Sequence, residues 1–247
     1  MCINGSLFEN TRDKIVGIQR ERQGIGTLSE KTIHAVLKNY YAPDTDMHEI
    51  PIENFVADIY TGQEIIEIQT RAFNKMRRKL DAFLPVYPVT IVYPIPHIKW
   101  LSWIDEETGE TSPKRKSPKT GNAYMAFIEL YKIRSYLSNP NLHLKVALID
   151  MEEYRLLNGW SRDKKKGSER YDRIPVKFAE EVCIDRREDY MQFVPYDLPE
   201  TFTTKDFAKH AKIQLRLAQT VLLILTDLEI VVRVGKQGHS YLYEVNE

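Results

Sequence analysis

The sequence predicts an α/β protein: a mixed sheet covered by helices, followed by a small helical segment that ends in a β-hairpin. Three observations carry this expectation. Up to Ile95 the apolar pattern runs helix, three strands, helix, strand, and a helix between strands implies a crossover over a sheet. After Pro199 the pattern changes to helix, short break, helix, hairpin. The chain has 247 residues, 43% of them apolar and 11% aromatic, which is enough to build a packed core.

Composition excludes several classes. Lys plus Arg equals Asp plus Glu at 35 each, so any basic footprint for nucleic acid has to be local. Cys2 and Cys183 are too few for a disulfide framework or a cysteine-based zinc site. The longest aliphatic run, Val221 to Leu225, is far short of the roughly 18 residues that a membrane span needs. The N-terminus lacks the apolar core of a signal peptide. The expectation is a soluble, cytoplasmic protein with no membrane partner.

The elements follow in order. Leu28 to Tyr41 reads as a helix from the spacing of Leu28, Ile33, Val36, Leu37 and Tyr40. Thr27 followed by Glu30 forms a capping-box pattern at its start, and Pro43 ends it. His48–Ile52, Phe55–Tyr60 and Glu64–Thr70 read as strands, the last two joined by the turn Thr61-Gly62-Gln63. Arg71 to Leu84 returns to helical spacing, with Phe73, Met76, Leu80 and Phe83 on one side. Val86 to Ile95 is β-rich, with prolines that predict fraying at both ends.

Beyond that point, Lys99–Ile104 and Ala123–Leu130 flank a polar stretch carrying Lys114, Arg115, Lys116 and Lys119. Tyr124–Leu137 is expected to be helical, Leu142–Ile149 a strand and Glu152–Leu157 a short helix. Arg162–Arg173 is read as an exposed basic stretch containing Lys164 to Lys166. In the tail, helices are expected at Lys205–Ala211 and Gln214–Leu228. A hairpin of Ile230–Val234 and Ser240–Val245 then forms around Gly235-Lys236-Gln237-Gly238. That order is the grammar of a winged helix-turn-helix.

Asp58, Glu67 and Gln69 are the sharpest chemical signal. Alternation along a strand puts Glu67 and Gln69 on one face, and a hairpin is expected to bring Asp58 toward them. Glu67 lies inside the apolar run Ile65-Ile66-Glu67-Ile68, where an unpaired carboxylate would be costly. Two converging carboxylates are what Mg²⁺ uses when it retains most of its waters and gives its remaining positions to substrate phosphate.

With Glu30 on the first helix and a basic helix after Gln69, this constellation resembles the PD-(D/E)xK nucleases, the restriction-endonuclease-like superfamily. The αβββαβ order is that family's core order, and the resemblance covers about Gly24 to Ile95. It implies residues 1–198 as a restriction-endonuclease-like domain, with core 24–95 and elaboration 96–198, and 199–247 as a winged helix. It also implies Mg²⁺ or Mn²⁺ held by Asp58, Glu67 and the Ile68 carbonyl, with Glu30 as a further acid. Gln69 stands where the family has lysine, and Ala57 where proline often precedes the first acid. A lysine from the following helix, Lys75 or Lys79, is the alternative for orienting water, since glutamine cannot donate a proton as an ammonium can.

The implied activity is metal-dependent endonucleolytic hydrolysis of DNA, and the alternative is a non-catalytic DNA-binding scaffold. DNA contacts are expected from Arg71, Arg78 and Lys79, from Lys114, Arg115 and Lys116, and from Gln214, Arg216, Gln219 and Lys236 of the tail. A homodimer is one assembly consistent with this reading.

Overall fold

The computed structural model describes residues 3–23, 32–160 and 169–246. In chain order the elements are α1 (Gly5–Gln23), α2 (Thr32–Tyr41), β1 (His48–Ile52), β2 (Phe55–Tyr60), β3 (Ile65–Ile68), α3 (Arg77–Phe83), β4 (Val89–Ile104), β5 (Arg115–Lys116), α4 (Phe127–Leu130), β6 (Leu142–Leu156), β7 (Arg170–Ile184), β8 (Phe202–Thr203), α5 (Thr204–His210), α6 (Leu215–Asp227), β9 (Val231–Gln237) and β10 (Ser240–Val245). The protein is mixed α/β, with parallel and antiparallel pairings and flanking helices. Among the described residues no helix is long and apolar enough to cross a membrane.

The chain divides into two compact units, each assembled from three separate segments. One comprises residues 1–61, 94–122 and 147–181; the other comprises 62–93, 123–146 and 182–247. The segment 199–247 therefore falls within the second unit.

In the first unit β1 and β2 form an antiparallel hairpin, with His48 opposite Ile59. β5 lies antiparallel to β4, with Trp100 opposite Lys116 and Leu101 opposite Arg115. α1 packs on α2 through Phe8, whose ring meets Tyr40 at 5.6 Å and Phe178 of β7 at 5.2 Å. Ile33, Val36 and Leu37 of α2 are buried at helical spacing. The start of α2 is held by Asp172 of β7, which accepts hydrogen bonds from the Thr32 hydroxyl and the Thr32 backbone N–H. A carboxylate there suits the N–H donors and the positive dipole end of a helix start.

In the second unit β3 pairs in parallel with β4, in register from Ile65–Val89 to Ile68–Val92. All four residues of β3 are buried, as expected for a parallel strand covered on both faces. An aromatic cluster fills the rest of the core: Phe127 lies 4.9 Å from Phe193, which lies 5.7 Å from Tyr124. Phe202, Phe207 and Tyr243 extend it. α6 buries Ala218, Val221, Leu222, Ile224 and Leu225. β8, β10 and β9 form a three-stranded sheet in that order, and Thr203 and Asp206 make a reciprocal capping box at the start of α5.

Several expectations are corrected here. α1 is absent from the sequence reading, yet Phe8, Arg12 and Ile15 keep a helical stripe toward the protein. The helix expected from Arg71 starts instead as a 3-10 turn at Phe73, because Ala72 takes a left-handed conformation (φ 60°). Val86–Ile95 and Lys99–Ile104 are one strand, β4, running through Pro94 and Pro96. The helix expected over Tyr124–Leu137 is a short α segment between 3-10 turns, with non-helical backbone at Ile133. Glu152–Leu156 is not helical but continues β6, since burial of Met151 and Glu153 on alternate positions outweighs the helix preference of Glu, Arg and Leu. From Arg170 the stretch read as an exposed loop is β7. Glu30, the capping pattern at Thr27 and Lys164 to Lys166 lie outside the described residues.

Gly121 marks a close backbone approach in the first unit. Its N–H donates to the His97 carbonyl at 2.9 Å, and a Cβ at this position would sit 2.1 Å from the Pro96 carbonyl oxygen. Since backbone must then move, Gly121→Ala is expected to cost about 1–3 kcal/mol, read as a lower midpoint in urea unfolding.

Candidate functional site

Glu67 is 4% exposed on a strand whose other side chains are Ile65, Ile66 and Ile68. Its charge is met by Lys79 of α3, whose Nζ lies 2.6 Å from Oε2. Lys79 is itself mostly covered, its ammonium 5.9 Å from the centre of the Phe83 ring. Helical spacing explains the pairing, because Phe83 lies four residues after Lys79 on the same face of α3. Of the two lysines that the sequence offers in place of Gln69, Lys79 reaches Glu67, while Lys75 is exposed in the preceding 3-10 turn. The Gln69 amide donates to the Arg71 carbonyl. The start of the 3-10 turn is fixed from α4, where the buried Glu129 accepts from the Phe73 N–H at 2.9 Å and pairs with Lys132 at 2.5 Å.

Among the basic residues of this region, Arg71 and Arg78 are exposed. Arg77 is spent on structure, its guanidinium donating to the Lys132 carbonyl.

In the first unit Asp58 is half-buried on β2, and its Oδ2 lies 3.2 Å from Nε2 of His34 on α2. His34 is thus the partner of a predicted ligand. Oxygen donors such as Asp58 and Glu67 suit a hard divalent cation, which binds through one or two carboxylates and keeps several waters. Among the described residues no group of three or more His, Cys, Asp or Glu gathers at one point. A Mg²⁺ or Mn²⁺ ion using Glu67 would thus complete its shell with water and substrate phosphate.

The predicted basic loop divides. Lys114 pairs with Glu152 at 2.5 Å, while Arg115 and Lys116 are exposed on β5. Beside them lies a cluster that the sequence reading missed. Glu153 of β6 is fully buried and meets four cations: Arg155 at 2.6 Å, Arg173 at 3.0 Å, and Lys99 and Arg170 at 3.4 Å each. Burial pushes the Glu153 carboxyl up, but Arg173, Lys99, Arg155 and Arg170 outweigh it and hold the group at about 2. The Lys99 ammonium is pulled below its ordinary value by burial, and Arg173 and Arg155 add to that against the raising effect of Glu153. Reading Glu152–Leu157 as a helix hid the cluster; strand alternation would have put Glu153 and Arg155 on one face.

In the tail Gln214, Arg216 and Gln219 are exposed at and along the start of α6. Lys236 is exposed on β9, its ammonium 5.1 Å from the Tyr241 ring, and Arg233 stacks on the same ring at 4.6 Å. Arg233 was not anticipated. Trp160 is 71% exposed.

Comparison with known proteins follows from this architecture. Residues 31–185 match the family described as Domain of unknown function (DUF8091), and the chain belongs to that family. It is also similar to a protein of Treponema pallidum (strain Nichols), described as an uncharacterized protein, with 26% identity over 192 residues. That alignment covers 75% of this chain and 74% of the relative. No solved structure matches the chain.

The low Glu153 value gives a pH dependence with a definite sign. A depressed carboxyl contributes stability that is complete above its ordinary value near 4.5 and lost as pH falls toward about 2. Urea midpoints measured from about pH 6 down to about pH 2 are expected to fall more steeply in the wild type than in Glu153→Gln.

Proposed function

We propose that the protein is a nucleic-acid hydrolase of the restriction-endonuclease-like kind, cleaving DNA phosphodiester bonds with Mg²⁺ or Mn²⁺. The observation that carries this reading is the Glu67–Lys79 pair: a buried acid on a short strand, met at 2.6 Å by a lysine from the helix that follows. This answers the departure at Gln69, because an ammonium can donate to an attacking water or to the scissile phosphate.

In this reading a bound divalent ion supplies Lewis-acid polarisation of the phosphorus centre and a more acidic water. The chain's own residues do the rest. Glu67 presents carboxylate oxygens as ligands. Lys79 neutralises Glu67 in the absence of substrate and donates toward the phosphate region when substrate binds. Water attacks phosphorus, the bond to the leaving oxygen breaks, and that oxygen takes up a proton. Arg71 and Arg78, both exposed, are positioned on the surface for backbone phosphates. The tail, with α5, α6 and the β9–β10 hairpin, supports a winged-helix reading in which Gln214, Arg216 and Gln219 face DNA and Lys236 and Arg233 meet its backbone.

A second reading is favoured by one observation. The Gln69 amide is engaged by the Arg71 carbonyl, so a scaffold that binds DNA without cutting it has the same surfaces and lacks the family's usual lysine.

Supercoiled plasmid incubated with Mg²⁺ or Mn²⁺ separates the two. The wild type is expected to nick or linearise it. Glu67→Gln is expected to abolish cleavage, and Lys79→Gln to lower it by at least ~100-fold, while Lys75→Gln changes it little. Cleavage that persists in Glu67→Gln overturns the assignment. A wild type that retains plasmid without cutting it, in both metals, establishes the scaffold instead.

A further inference from the structure

We propose that the four cations around Glu153 form a binding site for a phosphate group, separate from the Glu67–Lys79 pair and independent of whether that pair is catalytic.

The argument starts from charge. Lys99 on β4, Arg155 on β6, and Arg170 and Arg173 on β7 all come within 3.4 Å of one carboxylate. Among the described residues, the Glu153 carboxylate is shared by all four. The neighbouring acids of the same strands are engaged elsewhere. Asp150 accepts from His97 at 2.8 Å and from the Ile98 N–H, Glu152 pairs with Lys114, and Asp172 holds the start of α2. Guanidinium and ammonium groups gathered this closely repel one another. A bound anion relieves it.

Geometry sets where the anion would sit. The Glu153 side chain is fully buried, whereas those of Arg173, Lys99, Arg155 and Arg170 keep 14%, 21%, 27% and 34% of their exposure. The carboxylate thus lies beneath the cations and fixes their heads, and the cations form the outward layer. Glu153 spends one oxygen, Oε1, on Arg155 and the other, Oε2, on the remaining three. Arginines pinned from below in this way have lost rotamer freedom before a ligand arrives, which favours tight contact. A tetrahedral oxyanion with several acceptor oxygens matches converging forks better than a single carboxylate does.

The face continues past the cluster. Arg115 stands directly opposite Leu101, two residues from Lys99, so Arg115 and Lys99 project on the same side of the sheet. A row of cations along neighbouring strands fits a phosphodiester backbone, whereas an isolated group of four would fit a terminal phosphate. The shared ligand chemistry is the phosphate group.

The test uses the full chain in EDTA, so that cleavage cannot interfere. Binding of inorganic phosphate, followed by ³¹P NMR, is measured beside binding of a fluorescent oligonucleotide by anisotropy at low salt. Arg170→Gln removes the most exposed of the four cations, and circular dichroism and thermal melting check its fold; Arg170→Lys keeps the charge and loses the fork. The expected result is at least tenfold weaker binding in Arg170→Gln and a smaller loss in Arg170→Lys. Loss of both ligands, with phosphate competing for the oligonucleotide, assigns the site to an isolated phosphate group. Loss of oligonucleotide binding alone assigns it to the nucleic-acid backbone. Unchanged binding of both ligands in a folded Arg170→Gln, or no binding of either by the wild type, overturns the proposal. Binding in EDTA reads the Glu153 cluster, whereas cleavage in Mg²⁺ reads the Glu67–Lys79 pair, so failure of one reading is distinct from failure of the other.

Discussion

A carboxylate buried within a sheet must be given a counter-charge, and that requirement organises much of this protein. Moving an ionised group out of water costs several kcal/mol unless a partner and hydrogen bonds compensate for it. Glu67 meets the requirement with one lysine from the next helix. Glu129 meets it with Lys132 and a backbone N–H, and so fixes the turn that delivers that helix. Glu153 draws four cations from three strands. In each case the acid does more than sit in the core: it decides where a lysine or an arginine points. Removal of a partner is therefore more damaging than the modest value of an ordinary surface pair suggests, because it leaves the acid buried and uncompensated.

Much of the fold was legible because two periodicities are easy to read. β1 and β2 begin and end where alternation placed them, and α5, α6 and β10 lie within a residue or two of their expected bounds. The failures have physical causes. Glu152 to Leu156 carries good helix formers, and nothing local reveals that Glu153 has partners on β4 and β7. Local propensity lost to tertiary pairing. β4 was divided in two because Pro94 and Pro96 are ordinarily signs of a strand's end. α1 was missed since its buried stripe is narrow, with Phe8 as its one fully buried anchor among the residues before Arg12.

The candidate site was legible in part. Burial of Glu67 follows from its apolar neighbours, and the sequence limited the substitute lysine to two positions. Choosing Lys79 over Lys75 needed the left-handed backbone at Ala72, which delays the helix and changes which residues face the strand. The family match ends at Asp185, before the α5–α6 pair and its hairpin, so the chain carries this tail beyond the matched region.

The interleaving of segments has a consequence for biosynthesis. Each unit draws on three stretches of chain, the first closing with residues 147–181 and the second with 182–247. As the ribosome delivers the chain from the N-terminus, α2 emerges long before β7 can hold its start, and α4 waits for α6. Contacts of such long sequence separation form slowly and leave apolar strands uncovered in the meantime. A nascent chain stalled before residues 182–247 have emerged therefore holds an incomplete second unit, with its apolar strands open to chaperones.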